Sequence, residues 1–229
     1  MPLPAPVPAP SRIARVPGSL RRGLASGLAA LAALALPAAW PGDARAAALR
    51  VAVTDAAGAP LADAVAYALP MVAGAPAPAA TAGARTSIDQ IDREFVPLVT
   101  VVQTGTRIGF PNRDDVAHDV YSFSPIKRFE LKLYTGVPSQ PVVFDKAGLA
   151  VLGCNIHDSM VAYVLVVDTP HFAKTDRSGQ AVLDQLPPGE YRVAVWHRGM
   201  RRPDAHPAQT VRVPAGGPEA PPLRFAVGR

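Results

Sequence analysis

The 229-residue sequence contains a single cysteine, few aromatic residues and little net charge beyond its first 46 positions. One cysteine excludes an intramolecular disulfide, so Cys154 is an inert buried thiol, an intermolecular partner or a ligand. Aromatic residues make up 6% of the chain and 26 residues are proline, which favours short strands and turns over long helices. With 49% hydrophobic residues, the chain can nevertheless bury a core.

The sequence also lacks a basic region that would bind nucleic acid. The formal net charge is +5, but residues 1–46 carry five Arg and one Asp, which accounts for +4. The rest of the chain has 18 basic and 17 acidic residues, or about +1. Because binding to phosphates needs a concentrated positive field, we expect no nucleic-acid partner.

Residues 1–46 have the order of a secretory signal peptide. Four arginines precede a small-apolar run of 13 residues at 24–36, and Ala44-Arg45-Ala46 follows as a cleavage signal. This run is too short to cross a bilayer as a helix, and no later segment reaches 18 apolar residues. We therefore expect export to the periplasm, with secretion as second choice, and no membrane span after cleavage. The alternative is an uncleaved signal anchor or a disordered tail.

Short apolar runs separated by turn residues fill the remainder of the chain. Residues 49–54 and 64–69 predict two strands joined by a Gly-containing turn, and the Pro/Ala/Gly-rich residues 71–83 predict a linker. From Thr86 onward, short strands recur at roughly even spacing, with no long helix that would build βαβ units. This pattern predicts an all-β fold, either an antiparallel β-sandwich or a Greek-key barrel.

The C-terminal part carries the pattern T-D-x-x-G…L-P-P-G-x-Y-x-V-x-V between Thr175 and Val195. This pattern resembles the small sandwich modules called carboxypeptidase regulatory-like or transthyretin-like. Those modules open with a strand, a turn and a second strand of the kind seen at 51–68. The resemblance implies that residues 47–70 and 171–229 form one small, discontinuous β-sandwich into which residues 84–170 are inserted.

Four residues in the middle of the chain form a soft ligand set. Cys154, His157 and Met160 lie within one short loop, and His118 precedes Cys154 by 36 residues at the start of a predicted strand. Two His and one Cys with a weak axial Met is the arrangement of blue-copper electron-transfer sites. Each residue alone would more often be structural, so the prediction depends on their order and spacing.

The motif N-x-x-x-x-x-H-x-V followed by C-x-x-H-x-x-M resembles the cupredoxin family, and the short second loop is most similar to that of amicyanin. The segments FPNRD, VYSFSP, RFEL and LGCNIHDSM are similar to exported cupredoxin-like proteins often labelled methylamine utilisation proteins. The resemblance covers residues 86–169 and implies a cupredoxin Greek-key β-sandwich over 84–170. It also implies one type 1-like copper, with His118, Cys154 and His157 as equatorial ligands and Met160 as the axial ligand.

Three residues depart from the family pattern. Asp119 stands where cupredoxins commonly carry Asn, which puts in doubt the hydrogen bond between the two ligand loops. Gly153 stands where plastocyanins have Tyr, so we expect no aromatic side exit, with electrons passing mainly through His157. Asp158 stands where amicyanin has Pro and would alter partner docking or, as a lesser alternative, copper coordination.

The resulting hypothesis is a periplasmic electron carrier, not an enzyme, that exchanges single electrons with a redox donor and acceptor. Four protein ligands at one mononuclear site would leave no open position for a substrate. The alternatives are a copper carrier or chaperone without redox turnover, and a structural β-sandwich protein with an unused metal loop. We expect surface or structural roles for the other histidines, His171, His197 and His206.

Overall fold

The computed structural model describes residues 47–71, 83–138, 140–215 and 220–228, which belong to one compact unit. The predicted signal peptide, residues 1–46, and most of the predicted linker, residues 72–82, lie outside the described residues. Every regular element within the described ranges is a β-strand. A search of the same ranges for a helix long and apolar enough to span a membrane finds none. The predicted all-β fold is therefore confirmed.

The strands in the described part of the chain are, in order, β1 (Ala47–Asp55), β2 (Val65–Pro70), β3 (Arg85–Ser87), β4 (Asp89–Ile91), β5 (Glu94–Val96), β6 (Val99–Gln103), β7 (Thr106–Gly109), β8 (His118–Ser122), β9 (Phe129–Tyr134), β10 (Val142–Phe144), β11 (Gly148–Gly153), β12 (Val161–Val167), β13 (Phe172–Lys174), β14 (Gln180–Leu186), β15 (Gly189–Trp196), β16 (Ala208–Val213) and β17 (Leu223–Val227). They form four sheets with the orders β14-β1-β17, β13-β2-β15-β16, β6-β12-β11-β8-β9 and β10-β7-β3, together with the β4–β5 hairpin.

The first sandwich joins the two ends of the described chain. Strand β1 lies between β14 and β17, and β2 lies between β13 and β15. The inward residues of these two sheets bury one apolar core, in which Val51, Val53 and Val193 are fully buried. This pairing is the one expected if residues 47–70 belong with 171–229, whereas the domain boundaries themselves stay a prediction.

The T-D-x-x-G turn of this sandwich has a clear physical basis. The Asp176 carboxylate accepts hydrogen bonds from the N–H groups of Ser178 and Gln180 at 2.8 and 3.0 Å. Gly179 has a φ of +73°, and a Cβ at this position would lie 2.5 Å from the carbonyl oxygen of Val53. Only glycine fits this combination of backbone conformation and close approach.

The second sandwich positions the predicted ligands. Its five-stranded sheet and the β10-β7-β3 sheet enclose a core that contains Phe110, Phe144 and Leu152. Within the larger sheet, β8 and β11 are neighbours, and Gly153 pairs with Tyr121. Because His118 begins β8 and Cys154 follows β11, residues far apart in the chain are brought to the same part of this sheet.

A third apolar core joins the two sandwiches. Successive strand residues point to opposite faces, so Val164 and Val166 of β12 enter the second sandwich, whereas Leu165 and Val167 point the other way. The latter pair packs with Trp196 of β15 in a separate buried cluster. Four sheets are therefore stacked with three cores between them, and β12 is apolar on both faces because both faces are buried.

We predict that Leu165→Ala, which leaves a cavity in this shared core, lowers the free energy of unfolding by about 2–5 kcal/mol. Equilibrium denaturation of the whole protein measures the change. The matched control is Val182→Ala, because Val182 is 40% exposed on β14 and its truncation should cost no more than about 0.5 kcal/mol. A Leu165→Ala variant as stable as the wild type would show that the two sandwiches do not pack on each other in solution.

Candidate metal centre

Three of the four predicted ligands converge on one point. Within the described residues, His118, Cys154 and His157 form a group whose ligand atoms all lie within 4.8 Å of one another. The two imidazole rings have their centroids 5.0 Å apart. His118 is fully buried, Cys154 is 3% exposed and His157 is half-buried. The exposed Asp158, which the sequence left open as a ligand, is not a member of this group.

The unpaired ring nitrogens of the two histidines fit a metal ion. Both Nδ1 atoms are buried and have no hydrogen-bond partner among the described residues. Buried polar atoms almost always have partners, so two orphaned nitrogens beside a thiol need an explanation. A cation that accepts two imidazole lone pairs and a thiolate would supply the missing partner. The donor set, two nitrogens and one sulfur, suits copper.

Met160 stays a predicted axial ligand, and the structure shows that it is buried at the end of a hydrogen-bonded loop. It is 1% exposed and belongs to the same buried cluster as Cys154. Its N–H donates to the carbonyl oxygen of His157 at 2.9 Å, which closes the ligand loop into a turn before β12 begins. The loop therefore carries three of the predicted ligands on one short, hydrogen-bonded segment.

Asp119 forms hydrogen bonds that link the His118 segment to the Cys154 loop. The sequence had left this link in doubt, because Asp119 stands where cupredoxins commonly carry Asn. Its Oδ1 accepts a hydrogen bond from the Asn155 N–H at 2.7 Å, and its Oδ2 accepts one from Asn155 Nδ2 at 2.5 Å. Both His118 and Asp119 are buried, although consecutive strand residues normally alternate. The pairing of β8 with β9 is irregular between His118 and Val120, and such a bulge re-aims side chains.

A second carboxylate, Asp114, contacts His118 from the side opposite to Nδ1. The distance between His118 Nε2 and Asp114 Oδ2 is 2.7 Å. Burial by itself would raise the pKa of Asp114. Hydrogen bonds from the Arg93 N–H, from His118 and from the Asp92 N–H outweigh burial, so this pKa lies below its ordinary value. Asp114 is therefore ionised at neutral pH.

Asp114 was not singled out from the sequence. The run Asn112-Arg113-Asp114 contains the only available signal, since Asn and Asp favour local turns. The structure shows such a turn, in which the Asp114 N–H donates to Asn112 Oδ1 at 2.9 Å. The Asn112 Nδ2 also donates to the carbonyl oxygens of Val116 and Tyr134, both at 2.9 Å.

A partly buried polar cluster lies around Tyr134, whose strand β9 pairs with His118 of β8. The Tyr134 hydroxyl donates to the carbonyl oxygen of Phe110 at 2.6 Å, and Gln90 Nε2 lies 2.6 Å from the same hydroxyl. Burial raises the pKa of Tyr134 to about 12, the Gln90 hydrogen bond opposes this, and the charges of Cys154 and Asp119 add to it. The phenol is therefore neutral at physiological pH and serves as a fixed hydrogen-bond donor.

The expectation drawn from Gly153, that there is no aromatic side exit, stays a prediction, although an aromatic ring from another strand lies over Gly153. A Cβ built on Gly153 would lie 2.7 Å from both Cζ and Oη of Tyr121, so the tyrosine ring covers this glycine. The ring comes from the neighbouring strand β8 and is half-buried. It is followed at 5.0 Å by the ring of Phe123, which is 73% exposed.

The other histidines lie outside this group and make contacts of their own. His206 Nδ1 lies 2.6 Å from the Tyr67 hydroxyl, and its Nε2 lies 2.9 Å from the carbonyl oxygen of Pro203. His197 Nδ1 accepts a hydrogen bond from the Gly199 N–H at 3.1 Å. Burial lowers the pKa of His171 and of His206.

No protein-family model and no curated protein matches this chain. Among solved structures, a copper-containing nitrite reductase from Thermus scotoductus SA-01 is 22% identical over 43% of this chain, with a TM-score of 0.35; the chain spans only 25% of that enzyme. A purple cupredoxin from Nitrosopumilus maritimus is 22% identical over 37% of this chain and 99% of its own, with a TM-score of 0.32. A Cu(I) form of an amicyanin mutant is 19% identical over 44% of this chain and 99% of its own, with a TM-score of 0.33. At these scores the likeness says nothing about the site, which rests on its own residues.

We predict that Asp119→Ala destabilises the metal-free protein by about 1.5–3 kcal/mol, because the Asn155 N–H loses a charged acceptor. Chemical denaturation gives the value. The matched control is Asp115→Ala, which removes a carboxylate from the exposed part of the same segment and should change stability by no more than about 0.5 kcal/mol. Equal effects of the two substitutions would contradict the role of Asp119 as the connection between the ligand segments.

Proposed function

We propose that this chain is an exported mononuclear copper protein of the cupredoxin type that carries single electrons. The observation that carries the proposal is the convergence of Cys154 with the two orphaned Nδ1 atoms of His118 and His157 within 4.8 Å. An unused metal loop would not be expected to bury two unpaired imidazole nitrogens beside a thiol, because each unsatisfied polar group costs about 1–3 kcal/mol.

Copper would supply a reversible one-electron couple between Cu(II) and Cu(I). His118, Cys154 and His157 would hold it, with Met160 as a weaker fourth donor, a ligand set that suits both oxidation states. The residues are held in place from two sides, by strand β8 and by the hydrogen-bonded loop between β11 and β12. Such a scaffold resists rearrangement, so the ligands would move little when an electron arrives or leaves.

His157 is the ligand through which we expect electrons to pass. It is the least buried member of the group, and its neighbour Ile156 is 50% exposed. The imidazole edge therefore lies near the surface, whereas His118 and Cys154 are enclosed. The rings of Tyr121 and Phe123, which lie beside Gly153, would offer a second route.

The same arrangement favours a carrier over an enzyme. Cys154 and Met160 are enclosed in the apolar core, so four protein donors would complete the coordination sphere and leave no position for a substrate. We infer that the partners are a redox donor protein and a redox acceptor protein. The signal-peptide pattern of residues 1–46 supports a periplasmic location.

We predict that the copper-loaded protein, with one copper per chain, absorbs visible light strongly through thiolate-to-copper charge transfer and that Cys154→Ser abolishes this band. Absorption spectra during copper titration measure it. The control is His171→Gln, which lies outside the group and should leave the band unchanged. An unchanged spectrum in Cys154→Ser would overturn the copper site. A normal band with no reversible voltammetric couple would instead favour the copper carrier without redox turnover.

The second prediction of this section concerns the axial position. Met160→Leu should keep the copper and its colour but raise the reduction potential, because loss of a weak donor disfavours Cu(II) more than Cu(I). Protein-film voltammetry measures the shift, and Met71→Leu is the control because Met71 is half exposed on the other sandwich. Complete loss of copper would make Met160 a primary ligand, and an unchanged potential would remove it from the site.

A further inference from the structure

We propose that Asp114 is a positioning residue that fixes the tautomer and orientation of His118 and thereby strengthens the binding of Cu(II) over Cu(I). This inference rests on the proposed function, and it concerns a side chain outside the predicted ligand set. Its basis is the hydrogen bond of 2.7 Å between His118 Nε2 and Asp114 Oδ2.

The hydrogen bond decides which nitrogen of His118 carries the proton. Both oxygens of Asp114 already accept hydrogen bonds from backbone N–H groups, so Asp114 is placed as the acceptor of the His118 hydrogen bond as well; Nε2 then carries the hydrogen and Nδ1 keeps its lone pair. The Nδ1 atom is the one that is buried, unpartnered within the described chain and part of the group with Cys154. Asp114 therefore holds the imidazole in the tautomer that a metal at this site requires.

Asp114 is itself rigidly held. Its Oδ1 accepts a hydrogen bond from the Asp92 N–H at 2.7 Å, and its Oδ2 accepts one from the Arg93 N–H at 2.9 Å. Asp92 and Arg93 have φ values of +53° and +60°, which are uncommon for residues other than glycine. The β4–β5 turn thus presents two neighbouring N–H groups to one carboxylate, and that carboxylate has little freedom to leave His118.

A carboxylate on the far nitrogen makes an imidazole a stronger electron donor. Outer partners of this kind raise ligand basicity, and their removal typically lowers metal affinity about 10–100-fold. Cu(II) carries the higher charge and gains more from a stronger donor than Cu(I). The structure therefore assigns to Asp114 a shift of the copper couple towards the oxidised state.

Asp115 is a control that distinguishes the hydrogen bond of Asp114 to His118 from the effect of a negative charge near the site. Asp115 is exposed and lines the same surface depression of about 250 Å³ as Asp92, Arg93 and Asp114. Its removal changes the net charge near the site by the same amount as removal of Asp114. Of these two carboxylates, Asp114 is the one that contacts His118, so substitution of Asp114, and not of Asp115, should affect the tautomer of His118.

The first test uses the metal-free protein and nitrogen-15 NMR of the histidine side chains. We expect wild-type His118 to be the single tautomer with its proton on Nε2, and we expect Asp114→Ala to give a mixture of tautomers. Asp115→Asn should keep the wild-type tautomer. A proton on Nδ1 in the wild type would overturn the proposal, whatever the protein does with copper.

The second test measures Cu(II) and Cu(I) affinities and the potential of the loaded protein. Asp114→Ala should lower Cu(II) affinity about 10–100-fold with little effect on Cu(I), which raises the potential by about 59–118 mV at 59 mV per tenfold change. Asp114→Asn, which keeps the shape and one acceptor oxygen, should give a smaller shift in the same direction and covers the case in which the alanine variant misfolds. Equal shifts in Asp114→Asn and Asp115→Asn would overturn the proposal. A wild type that binds no copper would refute the proposed function, whereas the tautomer test would still decide the role of Asp114.

Discussion

The contact on which the site depends is the pair of hydrogen bonds between the Asp119 carboxylate and Asn155. These residues are 36 positions apart, and each is the direct chain neighbour of a predicted ligand, His118 or Cys154. We expect loss of this pair of hydrogen bonds to lower the free energy of unfolding by about 1.5–3 kcal/mol. The strand that carries one ligand and the loop that carries three are therefore fixed to each other before any metal binds.

The small sandwich contributes to the site from a distance. Strand β12, which begins directly after Met160, presents one face to the core around Cys154 and the other face to Trp196 and its neighbours. A strand buried on both faces has little freedom to shift, because protein interiors are close-packed. In this account, the module formed by the two ends of the described chain is a support for the sheet that carries the ligands.

The sequence made parts of this arrangement predictable for identifiable reasons. Cys154, His157 and Met160 could be singled out as predicted ligands because their donor chemistry is rare and their spacing is short. The T-D-x-x-G turn was predictable because Gly179 has no alternative there. The role of Asp114 was not predictable, because its partners His118, Asp92 and Arg93 are brought together only by the β4–β5 turn. The core shared by the two sandwiches was also missed. The sequence of β12 is apolar on both faces, but it does not indicate which sheet covers each face.

The claim of a preformed, one-electron copper centre is tested most directly by crystal structures of the copper-loaded protein in its oxidised and reduced forms. The account predicts one copper bound by Cys154 and by the Nδ1 atoms of His118 and His157, with the same ligands and nearly the same positions in both forms. Copper bound elsewhere, coordination through Nε2 of His118, or a change of ligand between the two oxidation states would contradict it.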